Sequence, residues 1–308
     1  MSSAILAGSS SHLLAQNISS AKNLPLIHHR VVHFVNSEMK IALPKDFKPF
    51  KKITIVQSTS NPANNNLMEL CLLADTLKRE GVEHVEAIIP YFGYARQDKQ
   101  HLPGECVSVE VIINLLKAVG VEVVYTVDIH NDEVLSKTSL LVKNLSAMEY
   151  LANKVYSDLG LNEDSEAEIT IASPDYGGIK RAELFASNFY KNPRNKEIVS
   201  MKKRRDLERT HYSETVELRG EIRDKKIILI DDVSTSGGTL LNALELCKAN
   251  GVREAYALVV HADFASGVAE KLQNSDFQKI YTTNSIEKTV DNLNFIDKVR
   301  VVDVSEIF

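Results

Sequence analysis

The sequence predicts an α/β protein built from two similar domains, each a mainly parallel sheet flanked by helices. Short β-branched runs alternate with amphipathic helical patterns along the chain, which is typical of parallel sheets. A length of 308 residues fits about two domains of roughly 100–200 residues each. The alternation restarts near residue 147, so we expect domains at 1–146 and 147–308. Within the second domain, roughly the last 20 residues could pack back against the N-terminal domain.

The N-terminal domain begins with a predicted strand at 4–7, which leads through a Gly-Ser-Ser-Ser loop into a helix that ends near Lys22. Gly81 and Gly120 follow two further helical patterns, and glycine is the residue that commonly ends a helix in the left-handed conformation. The other elements follow from period-2 and period-3.6 patterns. They are strands at 30–35, 53–57, 85–90 and 122–127 and helices at 66–80 and 105–119.

The C-terminal domain begins with a predicted helix at 147–159 and ends with a predicted strand at 298–304. An apolar stretch at 198–201 leads into four adjacent cations, and Asn250-Gly251 ends a helix that begins near residue 240. The remaining predicted elements are strands at 169–172, 227–230, 255–260 and 279–283 and helices at 179–190 and 267–272.

Composition excludes several classes of protein. The chain is 44% hydrophobic and 25% charged, which is ordinary for a globular protein, and its net charge of −5 gives no basic surface for nucleic acid. No apolar run reaches the roughly 18 residues that suggest a membrane helix, and no signal pattern is visible. The three cysteines have neither metal nor disulfide spacing. We therefore expect a cytoplasmic protein without a nucleic-acid or membrane partner.

One stretch, residues 225–251, carries the clearest functional pattern. The wholly apolar run 227–230 predicts a buried strand, and Asp231 and Asp232 stand where it should end. A loop of Ser, Thr and Gly residues then opens a helix, an arrangement that points backbone N–H groups at an anion. The Lys of a Walker loop is missing, and paired aspartates would repel a second anion, so a sugar phosphate fits best. The alternative is an ordinary turn with two solvated aspartates.

Other polar clusters also follow predicted strands, where ligands of such sheets bind. In the segment 173–178, two glycines would let backbone approach a phosphate while Asp175 holds Mg²⁺; a simple glycine turn is the alternative. His130 follows another strand, although a lone histidine is more often structural. The segment Tyr91–Lys99 mixes aromatic and polar side chains that could bind a base and a phosphate, or form a mixed surface loop.

The cation run 202–205 is the last cluster. Such a run is usually part of a solvated loop. It could instead belong to a mobile lid whose cations close over phosphates and match the negative charge that develops during transfer.

Six segments together resemble the ribose-phosphate pyrophosphokinase family, which makes phosphoribosyl pyrophosphate. The resemblance runs through almost the whole chain in the order of the family. It is most specific in the first two segments, whereas the Gly-rich loop alone suggests only the wider phosphoribosyltransferase group. The segments are IVQSTSNPANNNLMEL (55–70), IIPYFGYARQDKQ (88–100), VDIH (127–130), SPDYGGIKR (173–181), KKRR (202–205) and LIDDVSTSGGTL (229–240).

The resemblance implies two domains of phosphoribosyltransferase type, an ATP-side domain at 1–146 and a ribose-5-phosphate-binding domain at 147–308. It implies transfer of the diphosphoryl group of Mg·ATP to the C1 hydroxyl of ribose 5-phosphate, with Mg²⁺ as cofactor and a homo-oligomer built from dimers. Lys203 and Arg205 match the catalytic lid cations, and His130 and Asp175 match metal ligands. The implied ATP residues are Phe34, Asn36 and Glu38, contributed to a neighbouring subunit's site, and Arg96, Gln97 and Lys99. The implied ribose-5-phosphate residues are Asp231, Asp232, Thr235, Ser236, Gly237, Gly238 and Thr239.

The chain departs from the pattern of the family in three places. Thr235 stands where a third aspartate is common, so the loop resembles the archaeal type. The connection 44–52 lacks the Arg-Gly element that bacterial and animal enzymes use in phosphate and ADP control, which puts that regulation in doubt. The segment 282–286 also differs from the usual Thr-Asp-Thr-Ile-Pro.

Two alternative functions stay open at this point. Inactive relatives act as regulatory subunits, although the presence of Lys203, Arg205, His130 and Asp175 favours an enzyme. A phosphoribosyltransferase that consumes the activated sugar would need only one such domain and no segment like Tyr91–Lys99.

Overall fold

The computed structural model describes residues 2–100, 102–192, 198–205, 214–289 and 297–308; the side chains at 137, 202–205 and 214–217 lie outside this description. The chain divides into two compact units. Unit 1 contains residues 1–146 together with two later pieces, 284–288 and 303–308, and unit 2 contains 147–283 and 289–302.

Unit 1 is a parallel sheet with helices on both faces. Its strands lie in the order β2-β1-β5-β6-β7-β8 and every neighbouring pair is parallel, while β3 and β4 form a separate antiparallel pair. In chain order the elements are β1 (Ser3–Ala7), α1 (His12–Lys22), β2 (Leu26–His28), β3 (Arg30–His33), β4 (Met39–Ala42), β5 (Lys52–Val56), α2 (Ala63–Arg79), β6 (His84–Ile89), α3 (Ser108–Ala118), β7 (Val123–Val127) and β8 (Leu141–Leu145).

Alternate strand residues build the two layers of the core of unit 1. Leu6 and Ile55 pack in one cluster with the apolar faces of α2 and α3. Their neighbours Ile5 and Val56 pack on the other side with α1. Because both faces are covered, every residue of β1 and β5 after the first is buried.

Unit 2 repeats this design with one antiparallel edge. Its strand order is β11-β10-β9-β12-β13-β14-β15, and only β10 and β11 run antiparallel. The elements are α4 (Met148–Asp158), α5 (Glu163–Glu166), β9 (Ile169–Ser173), α6 (Ile179–Phe189), β10 (Ile198–Arg205), β11 (Glu214–Arg219), β12 (Lys226–Ser234), α7 (Gly238–Ala249), β13 (Glu254–Ala262), α8 (Val268–Gln273), β14 (Phe277–Thr283) and β15 (Val299–Val302).

The helices of unit 2 also cover both faces of its sheet. Leu229 and Ala257 pack with buried residues of α7 and α8 in one cluster. On the other face, α4 and α6 pack together, and the rings of Tyr156 and Phe189 meet at 5.5 Å in an edge-to-face arrangement. The prediction of two mainly parallel sheets flanked by helices is therefore confirmed.

Several element bounds differ from the sequence prediction. Strand β12 does not end at Ile230 but continues to Ser234, because β13 runs beside it and Ser234 pairs with Ala262. Residues 202–205 do not lie in a loop, since β10 extends to Arg205 and pairs with β11. The sequence analysis missed the edge strands β2 and β8, which are short or half-exposed.

Both units reverse their strand order at one place. In unit 1 the reversal lies between β1 and β5, and in unit 2 it lies between β9 and β12. Such a switch point leaves a crevice beyond the carboxyl ends of the two strands, where ligands bind in open α/β sheets. Among the described residues, no helix is both long and apolar enough to span a membrane.

Candidate active site

The switch point of unit 2 brings two of the predicted segments together. Strand β9 ends at Ser173 and is followed by the loop 174–178, while β12 carries Asp231 and Asp232 near its end. The two strands are direct neighbours, with Ala172 opposite Leu229. The segments that the sequence predicts for metal and for sugar hydroxyls therefore lie at the same edge of one sheet.

The loop after β9 folds around the side chain of Asp175. Its Oδ1 accepts the backbone N–H of Gly178 at 2.9 Å, and the Ser173 hydroxyl donates to the Asp175 carbonyl at 2.7 Å. A Cβ atom at Gly178 would lie 2.6 Å from Ser173 Oγ, so this position accepts only glycine without rearrangement. The next residue, Tyr176, is 73% exposed. The tight loop thus fixes a carboxylate whose second oxygen remains available to bind a cation or a hydroxyl.

Asp231 and Asp232 are buried side by side. Their residues are only 7% and 6% exposed. Each carboxylate accepts the following backbone N–H, Asp231 from Asp232 at 2.9 Å and Asp232 from Val233 at 2.8 Å. Burial, followed by repulsion from Asp232 and Asp175, raises the pKa of Asp231 well above its ordinary value of 3.8. Three carboxylates therefore share one region, which favours a cation or a hydroxyl-bearing ligand there.

Arg181 is a site residue that the sequence analysis missed. Its guanidinium lies 3.4 Å from Asp232 Oδ2, and the two side chains are 14% and 8% exposed. It stands on the first turn of α6, which begins directly after the Asp175 loop. The only sequence signal was its place in the segment 173–181, because a cation on a helix has no distinctive pattern. The positive charge of Arg181 offsets part of the negative charge of Asp175, Asp231 and Asp232.

The loop between β12 and α7 has the geometry of an anion site. Gly237 has φ of +73°, a conformation that glycine adopts without strain, and α7 begins at the next residue. The Ser236 hydroxyl accepts the backbone N–H of Gly238 at 3.3 Å. The Thr235 carbonyl accepts from Ala265 at 2.9 Å, which holds the loop against the segment after β13. Ser236 is exposed and Thr239 half-exposed, so both can reach a ligand.

In unit 1, the segment after β6 rests on the loop after β5. Thr59 accepts the Gly93 backbone N–H on its hydroxyl at 2.7 Å and donates its own backbone N–H to the Tyr91 carbonyl at 3.1 Å. Arg96, Gln97 and Lys99 are all exposed. Gln97 also accepts a hydrogen bond from the Ser108 hydroxyl at the start of α3. The segment is thus held at Gly93 and at Gln97, while Arg96 and Lys99 are exposed.

His130 follows β7 in a tightly held turn. Asp128 has φ of +38° and accepts from the Ser146 hydroxyl at 3.1 Å. The backbone N–H of Ile129 donates to Asn144 at 2.9 Å. Asn131 donates its side-chain amide to Asp98 at 2.6 Å, which links the turn of His130 to the segment 91–99. His130 itself is exposed.

The remaining predicted ATP residues lie in the turn between β3 and β4. The Phe34 backbone N–H donates to the Glu38 carbonyl at 2.8 Å, and the Glu38 N–H donates to Asn36 Oδ1 at 3.2 Å. Ser37 closes the turn with φ of +69°. Phe34 is 49% exposed although it is aromatic, which makes it available for contact with another molecule.

The switch point of unit 1 holds a polar network around the buried Glu69 that the sequence analysis did not predict. Glu69 accepts the backbone N–H of Ser9 at 2.8 Å and also its hydroxyl, and it lies 3.1 Å from His29 Nε2. His29 Nδ1 meets the Ala7 carbonyl at 3.0 Å. Burial raises the pKa of Glu69, but the hydrogen bonds from His29 and Ser9 outweigh it, so the pKa is lowered from its ordinary value. The network ties the first loop of the chain to α2.

The structure therefore groups the predicted residues within each unit. Asp175, Asp231 and Asp232 form one group in unit 2. In unit 1, the segment 91–99 and His130 are linked through Asp98 and Asn131. Lys203 and Arg205 are described only by their backbone, at alternate positions near the end of β10.

Comparison with known proteins gives the class first. A family model described as the phosphoribosyl transferase domain matches residues 142–301. The fold of unit 2 is thus that of a phosphoribosyltransferase-type domain. A second model, described as the N-terminal domain of ribose phosphate pyrophosphokinase, matches residues 3–120.

Relatives of similar length give the family. A ribose-phosphate pyrophosphokinase of Fusobacterium nucleatum is 32% identical over 304 residues, which cover 99% of this chain and 92% of that protein. One of Mesorhizobium japonicum is 31% identical and covers 98% of this chain and 93% of that protein. The crystal structure of phosphoribosylpyrophosphate synthetase from Mycobacterium smegmatis has the same fold, with a TM-score of 0.87 over 100% of this chain and 96% of that one at 23% identity. The chain belongs to the ribose-phosphate pyrophosphokinase family.

Proposed function

We propose that the chain is a ribose-phosphate diphosphokinase that serves nucleotide biosynthesis. It transfers the diphosphoryl group of Mg·ATP to the C1 hydroxyl of ribose 5-phosphate and gives 5-phosphoribosyl 1-diphosphate and AMP. The C1 oxygen attacks the β-phosphorus, the bond from that phosphorus to the oxygen shared with the α-phosphate breaks, and the hydroxyl proton is released. The observation that carries the proposal is the switch-point geometry of unit 2 in a chain similar to named pyrophosphokinases over nearly its full length.

Ribose 5-phosphate would bind between the carboxylates and the glycine loop of unit 2. In this role Asp231 and Asp232 accept hydrogen bonds from the sugar hydroxyls, because buried carboxylates with spare lone pairs are good acceptors. The 5-phosphate lies against Ser236, Gly237, Gly238 and Thr239, where backbone N–H groups and the positive end of α7 favour an anion. Thr235 completes the loop, which we take to be of the archaeal type.

ATP would bind on the side of unit 1. Arg96, Gln97 and Lys99 are exposed, and a guanidinium suits bidentate contact with phosphate oxygens. Phe34, Asn36 and Glu38 share one turn and would contribute to the adenine site of a neighbouring subunit. Because such a site needs two subunits, the proposal includes a homo-oligomer built from dimers. It also includes a cytoplasmic location.

Magnesium fits the donor set. Mg²⁺ is usually bound by one or two carboxylates together with substrate phosphates, so a protein cluster of three ligands is not required. Among the described residues, no three His, Cys, Asp or Glu side chains converge closely enough to bind a metal ion by themselves. Asp175, Asp231 and Asp232 nevertheless carry more negative charge than Arg181 offsets. Asp175 of unit 2 and His130 of unit 1 are each proposed as a Mg²⁺ ligand, and a bound ion would neutralise charge on the transferred phosphates.

Lys203 and Arg205 would act as the catalytic cations. In-line transfer of a phosphoryl group needs positioning and charge neutralisation more than a strong base. The backbone of both residues lies near the end of β10, and the polar stretch 206–213 that the sequence assigns to the same lid lies outside the described residues.

The test is release of AMP from ATP, measured with and without ribose 5-phosphate. The proposed enzyme releases AMP only when both are present, whereas a regulatory homologue releases none and a phosphoribosyltransferase consumes the product instead. Lys203→Ala should lower kcat by roughly 10²–10³ while leaving nucleotide binding nearly unchanged, since one preorganised electrostatic donor contributes about that much. Lys202→Ala, at the adjacent position of the same strand, is the matched control. A Lys203→Ala enzyme within about twofold of wild type would remove the assignment of this cation.

A further inference from the structure

We propose that the hydrogen bond between Asp98 and Asn131 is a positioning device that sets the nucleotide segment 91–99 relative to the turn of His130. Asp98 stands between Gln97 and Lys99, and Asn131 directly follows His130. The inference rests on the proposed function, because it assigns a role to residues beside the proposed ATP and metal residues. Neither residue of the pair is itself assigned to a substrate.

The geometry of Asn131 admits one arrangement. Its Oδ1 accepts the backbone N–H of Glu133 at 3.1 Å and caps the short 3-10 turn that begins at Asp132. Its Nδ2 donates to Asp98 Oδ2 at 2.6 Å. A backbone N–H requires an acceptor and a carboxylate requires a donor, so the amide cannot be reversed without losing both contacts. The orientation of the Asn131 amide is therefore fixed by one hydrogen bond that it accepts and one that it donates.

The two partners are held by separate parts of unit 1. The segment of Asp98 is fixed to the β5 loop through Thr59 and to α3, where Val109 donates its N–H to the Gln97 carbonyl at 3.4 Å. The turn of Asn131 is fixed to β8, through Asn144 and through the Leu145 carbonyl, which accepts from Asp128 at 2.9 Å. The hydrogen bond from Asn131 to Asp98 connects these two anchored segments.

A charge-assisted contact of this length suits a positioning role. Hydrogen bonds to ionised groups are short and about twice as strong as neutral ones. Here the contact is part-buried, which protects it from competition by water. Diphosphoryl transfer depends on alignment of the β-phosphorus of the nucleotide with the attacking C1 oxygen, and a small displacement lowers the rate strongly. The contact fixes two segments that would share one Mg·ATP.

The test exchanges the two side chains. Asn131→Asp keeps an oxygen for the Glu133 N–H but sets two carboxylates against each other. In Asp98→Asn/Asn131→Asp the amide and the carboxylate have changed places, so the hydrogen bond returns and the net charge equals that of wild type. We expect Asn131→Asp to lower kcat/KM for Mg·ATP about 10–100-fold, with KM for ribose 5-phosphate within about twofold. The exchanged variant should recover at least about half of that loss on a logarithmic scale. Asp132→Asn, a charge change at the exposed neighbouring residue, is the control and should stay within about twofold.

The outcomes separate the inference from the proposed function. If wild type releases no AMP with ribose 5-phosphate, the proposed function fails. Amide hydrogen exchange of residues 94–99 still tests the contact in that case, because it should be faster in Asn131→Asp and return toward wild type in the exchanged variant. If wild type is active but the double variant is as impaired as Asn131→Asp, or more so, the positioning role is overturned. An Asn131→Asp enzyme that behaves like wild type overturns it as well.

Discussion

Asp231, a residue of the proposed ribose 5-phosphate site, lowers the stability of the ligand-free fold at neutral pH. Its carboxyl is buried beside Asp232 and Asp175, and its pKa is raised because burial and these neighbours disfavour the charged form. Below its ordinary pKa of 3.8 the group is protonated in both the folded and the unfolded state. As the pH rises above that value the unfolded chain releases the proton first, so the free energy of unfolding falls until the folded group is also ionised. A bound ligand that donates hydrogen bonds to the ionised carboxylate would offset this loss in the free energy of unfolding.

Asp231→Asn should therefore stabilise the ligand-free protein at neutral pH. The amide keeps the acceptor for the Asp232 N–H and removes the repulsion, so we expect a gain on the order of 1 kcal/mol at about pH 7.5 and no gain at about pH 3.5. Chemical denaturation at the two values measures it. The same variant should weaken ribose 5-phosphate binding, which calorimetry would detect.

The control for this prediction is Asp46→Asn, at an exposed position, which should change stability by less than about 0.5 kcal/mol at either pH. Equal gains at both pH values would show that ionisation of Asp231 does not cause the effect. A loss of stability at neutral pH would contradict the prediction directly.

Among the elements, the strand-loop-helix units were the easiest to predict. The apolar run 227–230 and the glycines after it indicated β12 and α7 because both layers of the core depend on these residues. The end of β12 was missed, since Asp231, Asp232 and Ser234 interrupt the apolar pattern. Pairing with β13, including Val233 with His261 and Ser234 with Ala262, holds these residues in the sheet. Tertiary context decided that boundary, as is common for polar strand ends.

Contacts between side chains could not be predicted from the sequence. Arg181 and Lys180 look alike on a helical pattern, and only the position of α6 brings one of them to Asp232. The network of Glu69, His29 and Ser9 joins residues far apart in the sequence, so no local pattern could indicate it. The sequence indicated which polar side chains lie at the strand ends, but it did not indicate which residues they contact.

The loop after β9 offers a test of its geometry with a matched pair of glycines. A Cβ at Gly178 would meet Ser173 Oγ at 2.6 Å, and this hydroxyl is buried and donates to the Asp175 carbonyl. A Cβ at Gly177 would lie 3.5 Å from its nearest neighbour, which is ordinary contact. We expect Gly178→Ala to lower the free energy of unfolding by about 1–3 kcal/mol and Gly177→Ala to lower it by less than about 1 kcal/mol.

Urea denaturation of both variants measures the difference. We also expect Gly178→Ala to weaken ribose 5-phosphate binding more than Gly177→Ala does, because movement of Ser173 would shift the loop that holds Asp175. Equal stability of the two variants would show that the loop can adapt, and the tight fit at Gly178 would then have no energetic consequence.

Across the whole molecule, the two units share an arrangement of six parallel strands, to which unit 2 adds β11, but they differ at their switch points. The segments KKITIVQSTS (51–60) and KKIILIDDVSTS (225–236) both form the strand beside the switch point and the start of its loop. Aligned on their lysines, Gln57 and Ser58 take the places of Asp231 and Asp232. Unit 1 thus lacks the two carboxylates that would bind sugar hydroxyls in unit 2.

The switch point of unit 1 is also filled by its own side chains. Gln57 accepts the Ser10 N–H at 3.1 Å and donates to the Asn66 carbonyl at 3.3 Å. Ser10 donates its hydroxyl to the Ser58 carbonyl at 2.7 Å. A Cβ at Gly8 would lie 2.0 Å from Gln57 Oε1, so the loop and the side chain leave no room between them. The similar fold therefore does not imply a second sugar-phosphate site.

We accordingly expect one ribose 5-phosphate per chain rather than two. Isothermal titration calorimetry should give a stoichiometry near one, and Asp232→Asn should weaken the affinity about 10-fold or more, because a hydrogen bond to a charged group is lost. Gln57→Glu, which places a carboxylate at the matching position of unit 1, is the control and should create no second site, since the pocket there is closed. A stoichiometry of two in wild type, or binding that survives Asp232→Asn unchanged, would mean that the switch point of unit 2 is not the place where the sugar phosphate binds.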